Sequence, residues 1–141
     1  MKLQVKTTVD APIADVWHAY TTPQDIMQWN TSADDWHTTI SEVDLTVGGS
    51  FTSRIEAKDK SAGIDFTGTY TRIDTHKLIE YSLGARSASV SFEETPAGVA
   101  INVQFDADSL HSEQDQQATW QAILNNFKDH VEKANKSGGD D

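Results

Sequence analysis

Asp34, Asp35, Trp36 and His37 place two carboxylates and an imidazole within four consecutive residues. That composition suits a divalent cation or an acid–base pair. A metal site needs further ligands at a compatible spacing, such as His-x-x-x-His, and no such group follows. His37 therefore reads as an ordinary surface residue opening a strand, and no metal or cofactor is expected. A second set of candidates is Arg54, Glu56, Asp65, Glu80 and Arg86, polar residues on segments that alternate like half-buried strands. By alternation Arg54 and Glu56 share a face with Thr52, opposite Phe51 and Ile55, and point to solvent. A cavity opening at that end would instead make Glu56 or Asp65 a proton acceptor with a raised pKa. His18, His76, His111 and His130 sit on polar faces or turns with no shared spacing. Gly48-Gly49 lacks the pattern of a phosphate loop and a following helix. No serine nucleophile elbow is present. The absence of cysteine excludes disulfides, thiolate metal sites and cysteine catalysis.

The aromatics carry more information. Trp17, Trp29, Trp36, Phe51, Phe66, Tyr70, Tyr81, Phe92, Trp120 and Phe127 either fill a core or line a cavity. Periodicity favours the core for Trp17 and Phe127. Trp29 and Trp36 flank a polar loop and have no periodic reason to be buried. Ligand pockets are mostly apolar with a few placed polar groups, and Tyr70 and Tyr81 would supply hydroxyls. The candidate ligand-binding set is Trp29, Trp36, Phe51, Ile55, Phe66, Tyr70, Tyr81, Phe92, Trp120, Leu124 and Phe127, with no catalytic residue assigned.

These side chains need a scaffold. From about Ser112 to Lys136, Trp120, Ile123, Leu124, Phe127 and Val131 recur on one helical face. Gln121, Asn125, Asp129, Glu132 and Lys136 take the other face. Ser112 is the expected N-cap, with Glu113 and Asp115 in the first turn. Asp129–Lys133 and Glu132–Lys136 are acid-before-base pairs at i,i+4. Gly138-Gly139 is expected to stop the helix, leaving 137–141 as a disordered tail of a single domain spanning 1–136. A helix of this length needs a large partner surface.

The rest of the chain supplies one. Residues 2–9 alternate as a strand. Pro12 suits the first turn of a short helix carrying Ile13, Val16, Trp17 and Tyr20. Thr22-Pro23 ends it and opens a second, with Thr22 as cap. Six strands follow at short spacing. They are expected near 37–45, 51–58, 64–70, 78–83, 87–94 and 99–105, with turns at Gly48-Gly49, 59–63, 75–77, 84–86 and 95–98. Short connections make neighbours antiparallel. The expected fold is α+β, with helices on one face of the sheet.

The chain carries 22 acidic and 11 basic residues, a formal charge of −11. That argues against nucleic acid and anionic membrane surfaces as partners. No signal peptide or run of membrane-spanning length is visible, so a small soluble cytoplasmic protein is expected, without membrane insertion. Monomer and homodimer both stay open.

The order strand, two helices, six strands, long helix resembles the START/Bet v 1-like (SRPBCC) superfamily. Within it the chain is similar to the branch named for the activator of Hsp90 ATPase C-terminal domain. Ala11-Pro12-Ile13 with Val16-Trp17 carries the resemblance, as does Thr22-Pro23 before Ile26 and Trp29. Gly48-Gly49-Ser50-Phe51, Gly68-Thr69-Tyr70 and Leu78-Ile79-Glu80-Tyr81 continue it. Trp120 with Leu124-Asn125-Asn126-Phe127 completes it, over roughly residues 2–135. The resemblance implies a helix-grip fold, a curved antiparallel sheet wrapped around the C-terminal helix, with Trp29 and Trp36 near a cavity mouth. It brings no fixed catalytic set, and such a fold does not settle function. The expected function is binding of an apolar or amphipathic small molecule between helix and sheet. Alternatives are a role beside an Hsp90-type chaperone, or a cyclase- or dehydratase-like enzyme, which would need a carboxylate or histidine in the cavity.

Overall fold

The computed structural model describes residues 2–31, 35–109 and 111–139, with side chains through 134. Strand β1 (Lys2–Val9) leads into helices α1 (Ile13–Thr21) and α2 (Pro23–Trp29). Strands β2 (Trp36–Val43), β3 (Ser50–Ala57), β4 (Gly63–Asp74), β5 (Leu78–Leu83), β6 (Arg86–Thr95) and β7 (Gly98–Asp106) follow, and α3 (Glu113–Gly139) closes the chain. The strands form one antiparallel sheet in the order β1-β7-β6-β5-β4-β3-β2. This is the helix-grip arrangement, reached because each short turn pairs consecutive strands while β1 crosses to the far edge beside β7.

The elements differ from the periodic reading at several points, among them β4, which runs on to Asp74. Pro12 is itself the N-cap of α1, extended at φ −63° and ψ 149°. Thr22 holds the N-cap position of α2, but its hydroxyl lies 3.3 Å from His18 Nδ1 and does not cap. Helix α3 runs on through 137–139, the start of the expected tail, while residues 140–141 lie outside the described residues.

The core lies between α3 and the concave face of the sheet. Leu124, Phe127 and Val131 of α3 are buried with Val90, Val99, Ile101, Val103 and Phe105. Helix α1 adds Val16, Trp17 and Ala19. Ser112 caps α3 as expected, its Oγ accepting from Asp115 N at 3.0 Å. Gln116 fastens the incoming loop: its Oε1 accepts from Asp108 N at 2.8 Å and its Nε2 donates to His111 O at 2.9 Å.

The polar side of α3 does more than face water. Gln117 Nε2 donates to Gln4 O at 3.1 Å, Gln121 Nε2 to Lys6 O at 3.0 Å, and Lys128 Nζ to Thr8 O at 2.8 Å. These are alternate carbonyls along β1, at the end of the sheet order. An open edge invites pairing with another chain, and α3 closes this one with side-chain donors. Lys128 also bonds Glu132 at 2.5 Å, so Glu132 has a base one turn before it. Of the acid-before-base partners expected, the Lys136 side chain lies outside the described residues.

Candidate ligand cavity

Between α3, the end of α1, α2 and strands β2–β5 lies a cavity of about 430 Å³, within the range of small-molecule sites. The strands present alternate residues to it, because a pleated strand sends every second side chain to the same face. Thus Phe51, Ser53 and Ile55 of β3 line it, as do Ile64, Phe66 and Tyr70 of β4, with Ile79 and Tyr81 of β5. Helix α3 contributes Thr119, Trp120, Ile123 and Leu124, and the α1–α2 region contributes Tyr20, Ile26, Trp29, Asn30 and Thr31. Trp36, Val43 and Val103 complete the wall. Ile64 is 57% exposed, which puts it at the rim.

Aromatic packing shapes one side. Phe51 sits edge-on to Tyr81, with centroids 5.0 Å apart, and 5.2 Å from Tyr70. Gly68 makes room for that ring: a β-carbon there would come within 2.5 Å of Phe51 Cζ and 2.9 Å of Ser82 O. Trp120 faces Phe66 across 6.4 Å.

Nine of the eleven candidate binding residues border this space: Trp29, Trp36, Phe51, Ile55, Phe66, Tyr70, Tyr81, Trp120 and Leu124. Phe92 and Phe127 do not. Phe92 packs edge-on against Trp17 and Tyr20, and Phe127 against Tyr20 and Trp29. Both rings are core filler behind the wall, at 5% and 0% exposure. Trp29, which had no periodic reason for burial, is only 6% exposed, and its Nε1 donates to Ala19 O at 3.0 Å. That bond ties α2 to α1 and spends the indole donor.

The acids suggested as proton acceptors lie elsewhere. Arg54 bridges Asp65 at 3.2 Å and Glu56 at 3.7 Å on the face away from the cavity. Glu56 also accepts from Thr39 Oγ1 at 2.6 Å. Glu80 is 3.8 Å from Arg72, and Arg86 is 3.9 Å from Asp108. Such exposed pairs add little stability. Asp34 lies outside the described residues, and His37 is exposed on β2. Among the described residues no group of three or more His, Asp or Glu is placed to hold a metal.

Polarity inside the cavity comes from uncharged groups. Ser53 was not among the candidates, although it shares the alternating face of Phe51 and Ile55. Tyr20 was missed as a lining residue, although it belongs to the apolar stripe of α1. Tyr20, Tyr70 and Tyr81 are all the tyrosines of the chain, and all border the cavity. Tyr70 and Tyr81 are each 7% exposed. Burial, with the nearby Asp44 carboxylate, pushes the Tyr70 phenol up to about 12. Burial also raises Tyr20 and Tyr81, and the neighbouring phenols add to both. All three therefore stay protonated donors at any ordinary pH.

The comparisons with known proteins agree with this architecture. A solution structure of an AHSA1-like protein from Aeromonas hydrophila is 43% identical with a TM-score of 0.90, covering 95% of this chain and 94% of that one. A protein from Cytophaga hutchinsonii is 38% identical with a TM-score of 0.81, covering 94% and 93%. One from Nitrosomonas europaea shares the fold at 16% identity, with a TM-score of 0.84 over 95% and 96%. No curated protein matches. Among the described residues no helix is long and apolar enough to cross a membrane. The family model for Activator of Hsp90 ATPase homolog 1-like protein matches residues 10–132. The chain belongs to that family, within the SRPBCC superfamily.

Proposed function

We propose that this chain is a cytoplasmic binding domain that holds an apolar or amphipathic small molecule between α3 and the sheet. The observation that carries the reading is a cavity of about 430 Å³ walled by aromatic and aliphatic side chains, with a few uncharged polar groups among them. A packed core would leave no such space, since interiors are close-packed. The family's fold commonly holds hydrophobic ligands, which points the same way. Enzymatic chemistry of the cyclase type has less support, because Glu56 and Asp65 are engaged on the outer face.

A thermal-shift screen with fatty acids, isoprenoids, flavonoids and other aromatics tests the reading. A ligand at about a hundred times its dissociation constant adds roughly 2.7 kcal/mol. In a domain of this size that raises Tm by several degrees. No shift with any compound would overturn the proposal. The family match supports a second reading, contact with an Hsp90-type chaperone. Stimulation of a bacterial Hsp90 ATPase by the chain would favour it, and no stimulation would dispose of it.

A further inference from the structure

Among the described residues, the walls of the cavity hold no acidic, basic or histidine side chain. An ion entering would lose its hydration with no opposite charge to replace it, a cost far larger than that of an uncharged polar group. Negative charge fares worst. The chain carries −11 overall, and the Asp44 carboxylate is close enough to disfavour a charge on Tyr70.

The hydroxyl groups mark where polarity is wanted. Tyr20, Tyr70 and Tyr81 line the same cavity from α1, β4 and β5. They are near enough for a charge on one to be felt by the others. Among the described residues none of the three phenol hydroxyls takes part in a hydrogen bond. Buried phenols ordinarily find a partner. Here Tyr70 and Tyr81 are more than nine-tenths buried as residues, yet their hydroxyls are left open to the cavity rather than bonded to the protein. The Trp29 indole, by contrast, is already satisfied by Ala19 O.

We propose that the cavity selects uncharged, mainly apolar molecules bearing one hydrogen-bond acceptor, such as a carbonyl oxygen, which the Tyr20, Tyr70 and Tyr81 hydroxyls receive. The same cavity rejects the corresponding carboxylate. This rests on the ligand-binding reading above and adds a selection rule to it.

Three probes of one shape separate the two claims: naphthalene, 2-acetonaphthone and 2-naphthoate, titrated calorimetrically into the whole chain at pH 7.5. The ketone is expected to bind about tenfold tighter than naphthalene, as a good hydrogen bond from a hydroxyl facing the cavity allows. The carboxylate is expected to bind more weakly than the hydrocarbon. Tyr81→Phe should lower affinity for the ketone several-fold and leave that for naphthalene unchanged. Naphthoate binding as tightly as the ketone would overturn the selection rule while leaving the cavity a binding site. Naphthalene matching the ketone would do the same. If none of the three binds, the selection rule falls, and with no hit in the thermal-shift screen the binding function falls with it. The comparison in the unmodified chain decides the matter even if the tyrosine variant fails to fold.

Discussion

Phe105 and Trp120 stack face to face, with ring centroids 4.0 Å apart and planes 5° from parallel. This contact joins β7, the neighbour of edge strand β1, to the long helix. Phe105 is 1% exposed, whereas Trp120 is half-buried and turns its other side to the cavity. One ring therefore belongs to the core and its neighbour to the binding wall.

Phe105→Ala removes the buried half of that stack. The cost expected is about 3–5 kcal/mol, the usual range for emptying a buried phenylalanine site. Urea denaturation measures it. A loss under about 1 kcal/mol would mean that helix and sheet are held together mainly by other contacts.

Gly68→Ala tests how the cavity keeps its width. The added methyl meets Phe51 Cζ at 2.5 Å and the Ser82 carbonyl at 2.9 Å, and the carbonyl cannot swing away. Overpacking of this kind costs about 1–3 kcal/mol. The Phe51 ring must move toward the cavity, so affinity for any ligand found in the screen should fall. Unchanged stability and affinity together would show that β4 shifts freely.

All three phenols titrate above their ordinary value, which fixes the sign of an alkaline effect. Below about pH 10 the phenols are neutral in both folded and unfolded chains, and their contribution to stability is complete. Above it the unfolded chain loses protons that the folded one keeps. Stability therefore falls as pH rises from about 10 through the folded pKa values, of which Tyr70 marks about 12. Tyrosinate absorbance at 295 nm should stay low past pH 10 and then rise together with loss of the circular dichroism signal. A gradual rise centred near pH 10 in a folded chain would contradict this account.

Gln116→Ala withdraws the acceptor of Asp108 N–H and the donor to His111 O. Gln116 is 8% exposed, so water replaces those bonds poorly. The expected destabilisation is about 1–3 kcal/mol, with amide exchange quickening first at the start of α3. Exchange that speeds evenly over the whole chain would place the role of Gln116 outside that loop.

The periodic signals are local, and so the sequence by itself determined the elements and their order. Alternation along 99–105 and the stripe from Trp120 to Val131 each need only neighbours in the chain to be read. Turns such as Thr95-Pro96-Ala97-Gly98 then make adjacent strands antiparallel. The tertiary structure decided which face of each apolar segment meets a partner and which meets empty space. Phe66 and Phe92 have the same sequence credentials, yet one lines the cavity and the other packs against Trp17 and Tyr20, because α1 covers β6 and leaves β4 open. Gln117 and Gln121 sit on a polar helix face, and only the approach of β1 turns them into its edge partners. The grouping of Tyr20 with Tyr70 and Tyr81 likewise depends on α1 meeting strands β4 and β5, 50 or more positions further along the chain. No period within one segment encodes such a meeting, since it arises from the packing of all the elements at once.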